Sequence, residues 1–282
     1  MKLHLDCIPC LVRQTLDAAR TLELDDAAAR SLLARTLELL ARLDWDDPPP
    51  VVAREIHRAI RELTRDPDPY LRRKLADTQT ALELLPGIEK LVAASETPFQ
   101  TAVLFSIAGN AIDLGAKSAV DANVEAAFDE ALARPVDGDA VARLEKAVRE
   151  AGDVLFLTDN AGEVVFDRPL LEEIGRDKVT VAVRGGPAIN DATLDDAGRS
   201  GIAERFRVIS NGSDTPGTWL PDCSQDFVDR FEKAELVIAK GQGNFESLSD
   251  CPRRVFFLFL TKCAAVSARL GIPPGQYVIR EA

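Results

Sequence analysis

Apolar positions follow two different rhythms along this chain. From Cys7 to about residue 133 they recur every three or four residues, which is the spacing of one face of a helix. Leu11, Thr15, Ala18, Ala19 and Leu22 form one such stripe. Leu32, Leu33, Leu37, Leu40 and Leu43 form a second, opened by Asp25 and Asp26. A run of prolines at 48–50 stops that helix and pre-sets the start of a third, through Ile56 and Ile60 to Leu63. Asp66-Pro67-Asp68-Pro69 is the next break, followed by a long amphipathic helix from about Tyr70 to Ala94. After Thr97-Pro98 comes a helix from Phe99 to about Leu114 that is apolar on most sides, so it is expected to be buried. Asn110 and Asp113 interrupt it three residues apart, on one face.

From Val154 onward the rhythm changes to short apolar, β-rich runs, each ending in a polar cluster. Val154–Thr158 runs into Asp159-Asn160-Ala161-Gly162-Glu163. Val179–Val183 runs into Arg184-Gly185-Gly186-Pro187 and then Asn190-Asp191. Phe206–Ser210 runs into Asn211-Gly212, Leu236–Ala239 into Lys240-Gly241-Gln242-Gly243-Asn244, and Val255–Leu260 into Thr261-Lys262-Cys263. Helical stretches separate these runs, which predicts βαβ units and a mostly parallel sheet with helices on both faces. Right-handed crossovers place every polar cluster on one edge of that sheet, where open α/β sheets bind ligands. No internal repeat, low-complexity segment or floppy linker is present, so the helical residues 1–135 are expected to pack on the α/β residues 136–282.

Composition narrows the chemistry. The 282 residues carry a net charge of -12, which argues against nucleic acid, whose binding needs a basic stripe, and against an anionic membrane surface. No apolar stretch is long enough to span a bilayer and the first residues lack a secretory h-region, so a cytoplasmic protein is expected. Five irregularly spaced cysteines make no disulfide framework. Cys7-Ile8-Pro9-Cys10 has no second C-x-x-C to complete a zinc ribbon; it reads either as two half-buried thiols at a helix start or as a metal or redox pair. His4 and His57 stand in no metal or triad spacing and read as structural.

Asp159 and Asn160 are adjacent oxygen donors on a strand-to-helix turn, a pair that can reach one hard cation; the plainer alternative is a helix N-cap. Asp191 is the natural second contributor, because Gly185-Gly186 lets the chain fold back, with Asp195 in reserve. Lys240 reads as a phosphate hand, with Gly241 permitting close backbone approach. Lys262 is either a further cation at that edge or a solvated charge. There is no G-x-x-x-x-G-K-[ST] loop and no G-x-S-x-G elbow. A haloacid-dehalogenase-type aspartyl-phosphate is disfavoured, since position 161 is Ala where that family needs a second Asp.

Taken in order, Cys7-x-x-Cys10, Gly109-Asn110-Ala111-Ile112-Asp113, Thr158-Asp159-Asn160-Ala161-Gly162-Glu163, Arg184-Gly185-Gly186-Pro187 with Asn190-Asp191-Ala192-Thr193, and Lys240–Glu246 resemble the metal-dependent damage-control phosphatases, in their archaeal and bacterial branch with an N-terminal C-x-x-C. The resemblance spans nearly the whole chain. It implies a helical N-terminal region on a Rossmann-like α/β domain. It also implies hydrolysis of a small phosphorylated metabolite, such as a sugar phosphate, with one divalent ion: Mg, Mn, Co or Ni. Carried over by motif, the metal ligands fall on Asp159, Asn160 and Asp191, the lysine on Lys240, and the segment approaching from the helical part on Asn110 and Asp113. On that reading Lys240 and Arg184 neutralise the phosphoryl group, Asn110, Asn244 and the Gly241 backbone orient the substrate, and Asp159 or Asp113 takes the water's proton. Two competitors are an S-adenosylmethionine-dependent carboxyl methyltransferase, which would want a glycine-rich loop where only Gly162 stands, and a non-catalytic phosphometabolite or metal-binding protein.

Overall fold

The computed structural model describes residues 1–109 and 132–282. The first five helices are α1 Cys7–Thr21, α2 Asp26–Leu40, α3 Pro49–Thr64, α4 Leu71–Ala94 and α5 Pro98–Ala108. Their starts follow the punctuation in the sequence. Asp25 caps α2 by accepting the Ala28 N–H, and prolines occupy the first turns of α3 and α5. Each of these helices overlaps a stretch that the apolar spacing assigns. The apolar α5 is buried along its length, from Phe99 through Ala108 apart from Gln100.

After α6 (Gly138–Glu150) the alternation begins: β1 Val154–Leu157, α7 Glu163–Ile174, β2 Val179–Val183, α8 Leu194–Arg199, β3 Arg207–Ser210, α9 Gln225–Lys233, β4 Leu236–Lys240, α10 Gln242–Leu248, β5 Val255–Leu260, α11 Ala264–Leu270 and β6 Tyr277–Glu281. The sheet order is β3-β2-β1-β4-β5-β6, parallel throughout except for β6, which runs antiparallel to β5. The apolar runs lead to five strands; the sixth, at the C-terminal edge, is an addition to them. It follows the Pro273-Pro274-Gly275 turn and buries only Tyr277, Val278 and Ile279.

Because alternate residues face opposite sides of a strand, the sheet feeds two cores. Val154, Phe156, Val181, Ile238, Phe256 and Leu258 pack against α4, α5, α6 and α7. Leu155, Leu157, Val237, Ala239, Phe257 and Phe259 pack against the Phe227, Phe231, Phe245, Leu248 and Val266 side of α9, α10 and α11. Helices α1 to α3 build a separate small core from Leu11, Leu32, Val52, Ile56 and Ile60. This layer is fastened to the sheet domain by charge. Arg58 donates to Asp214 at 2.6 and 3.0 Å, Arg61 donates to Asp214 and to the Pro187 carbonyl, and Arg54 pairs with Asp222 at 3.0 Å. No helix among the described residues is long and apolar enough to cross a membrane.

Both histidines sit away from the sheet edge. His4 is exposed beside Asp6. His57 is buried in α3, with Tyr70 hydroxyl 3.4 Å from its Nδ1. Burial, with the nearby Arg61 charge, pushes His57 down to about 4. The folded protein therefore holds a neutral imidazole that the unfolded chain protonates near its ordinary value, so stability falls as pH falls from about 6.5 to about 4, by up to about 3 kcal/mol. Urea midpoints at pH 7.5 and 4.5 check this: His57→Gln should flatten that part of the pH dependence.

Candidate active site

The chain adds β2 and β3 on one side of β1 and then crosses to add β4, parallel to β1, on the other, so the carboxyl ends of β1 and β4 flank the topological switch point. Asp159 leaves β1 there, and Gly241 leaves β4 there. Gly241 has a φ of 81°, and a Cβ on it would lie 2.2 Å from the Asp159 carboxylate. Only glycine lets the two strand ends approach so closely.

The segment after β2 folds back onto β1, as the paired glycines suggest. A Cβ on Gly185 would strike the Gly212 backbone at 2.4 Å. The returning chain forms an antiparallel bridge between Asn160 and Asp191. Ala161 N–H donates to Asn190 O and Ala192 N–H donates to Asp159 O, both at 2.8 Å. Two backbone bonds thus set Asp191 beside Asp159 and Asn160. Ile189 completes the turn with a φ of 50°, a left-handed conformation that a β-branched residue rarely adopts. Asp195, the reserve candidate, is exposed near Arg199 in the first turn of α8.

Asp159, Asn160, Asn190 and Asp191 open into a cavity of about 490 Å³. Its other wall comes from the helical layer: Cys7, Cys10 and Gln14 of α1 and Pro49, Pro50 and Ala53 of α3. Gln242, Glu246, Lys262 and Cys263 close the side toward β4 and β5. The C-x-x-C is therefore cavity wall, with Cys7 buried and Cys10 exposed, both thiols pushed up by burial.

Burial, reinforced by Glu163 and Asp191, raises the Asp159 carboxyl to about 8. Burial also raises Asp191, although Arg184 at 2.7 Å opposes the shift. Asn160 Nδ2 donates to Asp159 Oδ2 and Glu163 Oε2, both at 3.0 Å, which commits the amide's hydrogens. Among the described residues no three His, Cys, Asp or Glu side chains form a ready metal site. The donor set here is two carboxylates and an amide, all hard oxygens.

Three residues expected to touch substrate lie beneath the cavity instead. Lys240 is wholly buried, and its ammonium donates to Ser106 O (2.7 Å), Glu163 Oε1 (2.7 Å) and Asp167 Oδ1 (2.6 Å). Burial alone would depress this lysine, but the two carboxylates outweigh it and hold Lys240 above its ordinary value. Arg184 is committed to Asp191, Thr218, the Thr158 carbonyl and Asn244. Asn244 donates to the carbonyls of Thr158 and Lys240 and accepts from Thr218, which staples the ends of β1 and β4 together. These residues position the site without lining its cavity. Each is held there by polar partners: Lys240 ends β4 among carboxylates, Arg184 follows β2 against Asp191, and Asn244 in α10 reaches back to the β1 and β4 carbonyls. Asn110 and Asp113 lie outside the described residues. Lys262, whose sequence supported two readings, is the one lysine among the described residues that line the cavity, and its charge acts on Asp159. Gln242 holds that loop by accepting the Lys262 N–H at 3.0 Å.

Residues 3–278 match the family model of the damage-control phosphatase ARMT1-like domain. The chain belongs to this family. Curated relatives include damage-control phosphatases of Pyrococcus horikoshii, 32% identical over 99% of this chain and 97% of the relative, and of Archaeoglobus fulgidus, 32% identical over 99% of both chains. An uncharacterized protein of Methanocaldococcus jannaschii is 33% identical over 99% of this chain and 95% of its own. A crystal structure of a DUF89 family protein from Pyrococcus horikoshii superposes with a TM-score of 0.91 at 31% identity, covering 99% of this chain and 98% of that one.

The buried lysine gives a stability test that separates a brace from a phosphate hand. Lys240→Met removes the shared cation of Glu163 and Asp167 and should cost about 3–5 kcal/mol in urea unfolding. An unchanged midpoint with activity lost would return Lys240 to the substrate.

Proposed function

We propose that this phosphatase-family protein hydrolyses small phosphate monoesters with one divalent cation held by Asp159, Asn160 and Asp191. The observation that carries the reading is the Asn160–Asp191 bridge at the switch point, which sets two carboxylates and an amide side by side at the floor of a 490 Å³ cavity. The fit to a cation rests on the same atoms. Asp159 is raised to about 8 partly because Glu163 and Asp191 crowd it, and a hard divalent ion such as Mg²⁺, Mn²⁺, Co²⁺ or Ni²⁺ relieves that repulsion. When bound, the ion supplies Lewis-acid polarisation of a phosphoryl oxygen and acidifies water.

The chain's own residues do the rest. Asn160 presents Oδ1 because Glu163 and Asp159 hold its other end. Arg184 fixes Asp191 through the 2.7 Å ion pair. Lys262 lines the cavity and neutralises phosphoryl charge as it spreads in the transition state. No aromatic side chain is among the described residues that line the cavity, so no stacking platform awaits a nucleobase; amides, carboxylates and thiols suit a compact polar ester such as a sugar phosphate.

Phosphate release from a panel of sugar phosphates and an aryl phosphate, after chelation and with single metals added back, tests the reading. Turnover should return with metal, and Asp159→Ala should abolish it while the melting temperature stays within a few degrees. Lys262→Ala should lower kcat/KM by about 100-fold, the usual loss for one transition-state donor. Metal affinity should also fall about tenfold per pH unit below 8, because the Asp159 proton must leave first; titration calorimetry in two buffers reads that released proton. Folded protein with no turnover in any metal would sink the assignment.

A further inference from the structure

Breaking a phosphate ester leaves an alkoxide, and a sugar alkoxide is a poor leaving group unless it takes up a proton as the bond breaks. Lys262 and the proposed cation site account for the phosphoryl end of the cavity, and neither supplies that proton. Four carboxyl-bearing residues are among the described residues lining the cavity: Asp6, Asp159, Asp191 and Glu246. Asp159 and Asp191 are ionised once they hold a cation. Asp6 is exposed and lies 3.1 Å from His4. Glu246 remains, recessed in the wall on the side where α10, α1 and the β5 loop meet.

Its surroundings keep it there as an acid. Gln242 lies one turn earlier on α10. The Gln242 side-chain carbonyl accepts the Lys262 N–H at 3.0 Å, so the amide's N–H₂ end faces Glu246 and donates to its Oε1 at 2.8 Å. The same amide approaches Cys263 Sγ at 3.4 Å. That arrangement occupies Oε1 and leaves Oε2 to carry a proton. Cys7 and Cys10 of α1 lie near enough for Glu246 to act on them electrostatically, and Cys263 acts on both thiols as well. Among the described residues no guanidinium is one of the groups that shift this carboxyl; the one cation that acts on it is the Met1 ammonium. Burial raises Glu246 to about 7, with the Gln242 hydrogen bond and the Met1 ammonium working against the shift. A carboxyl tuned near neutrality is the kind that enzymes use to hand over a proton at physiological pH.

We propose that Glu246 is the general acid of the reaction, with Gln242 as the residue that positions it. As the bond between phosphorus and the ester oxygen breaks, its electron pair goes to that oxygen, which takes the proton from Glu246 Oε2 and leaves as the alcohol. Water provides the oxygen of the new bond to phosphorus and loses its proton to solvent, from which Glu246 is reprotonated. The net reaction is ester plus water giving alcohol plus phosphate. This role rests on the phosphatase reading and extends it to the leaving group. It also gives the C-x-x-C a place beside the reacting group, since Cys7 and Cys10 line the same cavity as Glu246.

The experiment compares E246Q with wild type on two esters, a sugar phosphate with a strongly basic alkoxide leaving group and p-nitrophenyl phosphate, whose phenolate needs no proton. Wild-type rates on the sugar phosphate should fall as pH rises above 7. E246Q should lose about 100-fold or more in kcat on the sugar phosphate, lose that basic limb, and lose less than about 5-fold on the aryl ester. The aryl activity and the melting temperature report on folding. An equal loss on both esters, or no loss on either, overturns the general-acid role while the phosphatase reading stands. A wild type inert toward every ester in every metal overturns both.

Discussion

A single buried ammonium organises the floor of this protein's cavity. Lys240 ends β4 with no access to water and must find anionic partners there, because an isolated buried charge is too costly to keep. It finds two, Glu163 and Asp167, one turn apart on α7, and it adds the carbonyl of Ser106 at the end of α5. Ser106 hydroxyl donates to the same Asp167 oxygen at 2.6 Å. Glu163 in turn fixes the Asn160 amide. A sheet strand, the first crossover helix and the most buried helix of the N-terminal half are thereby tied to one donor atom of the proposed cation site. The geometry of Asn160 depends on packing three layers below it.

The sheet was legible because its strands are apolar runs that stop abruptly, and because parallel crossovers force those stops onto one edge. Asp159, Asn160 and Asp191 could be brought together on paper for the same reason, with Gly185 signalling that the chain turns back. What the residues did not disclose is depth. Lys240 and Lys262 both follow apolar strands, yet one is buried with its ammonium fully bonded and the other is exposed at the cavity. The deciding signal lay elsewhere: Glu163 and Asp167 are spaced four apart in an otherwise apolar helix start, a pattern that asks for a buried cation. Arg184 and Asn244 are buried in the same way, since a donor-rich side chain near a strand end serves backbone carbonyls as readily as a ligand. The strand β6 carries an apolar run of only three residues, Tyr277 to Ile279, and ends in Arg280 and Glu281.

The helical layer supplies what the sheet lacks. A switch point alone is an open crevice; α1 and α3 turn it into a cavity by covering its mouth. Their own core is small, and arginines on α3 anchor them to the loops that follow β2 and β3. The C-x-x-C joins the site through this packing, with no spacing rule that would have connected residues 7 and 10 to residue 246.

Ile189 carries the conformation that the returning loop requires, at a position where glycine would sit without strain. Holding a β-branched residue there costs on the order of 1–3 kcal/mol. The side chain lines the cavity, and the strain has a counterpart: a glycine would relax the turn but would give the lip bearing Asn190 and Asp191 more conformations to sample. The protein thus gives up a share of its thermal margin for stiffness at the one loop whose wandering would pull apart its neighbouring carboxylates.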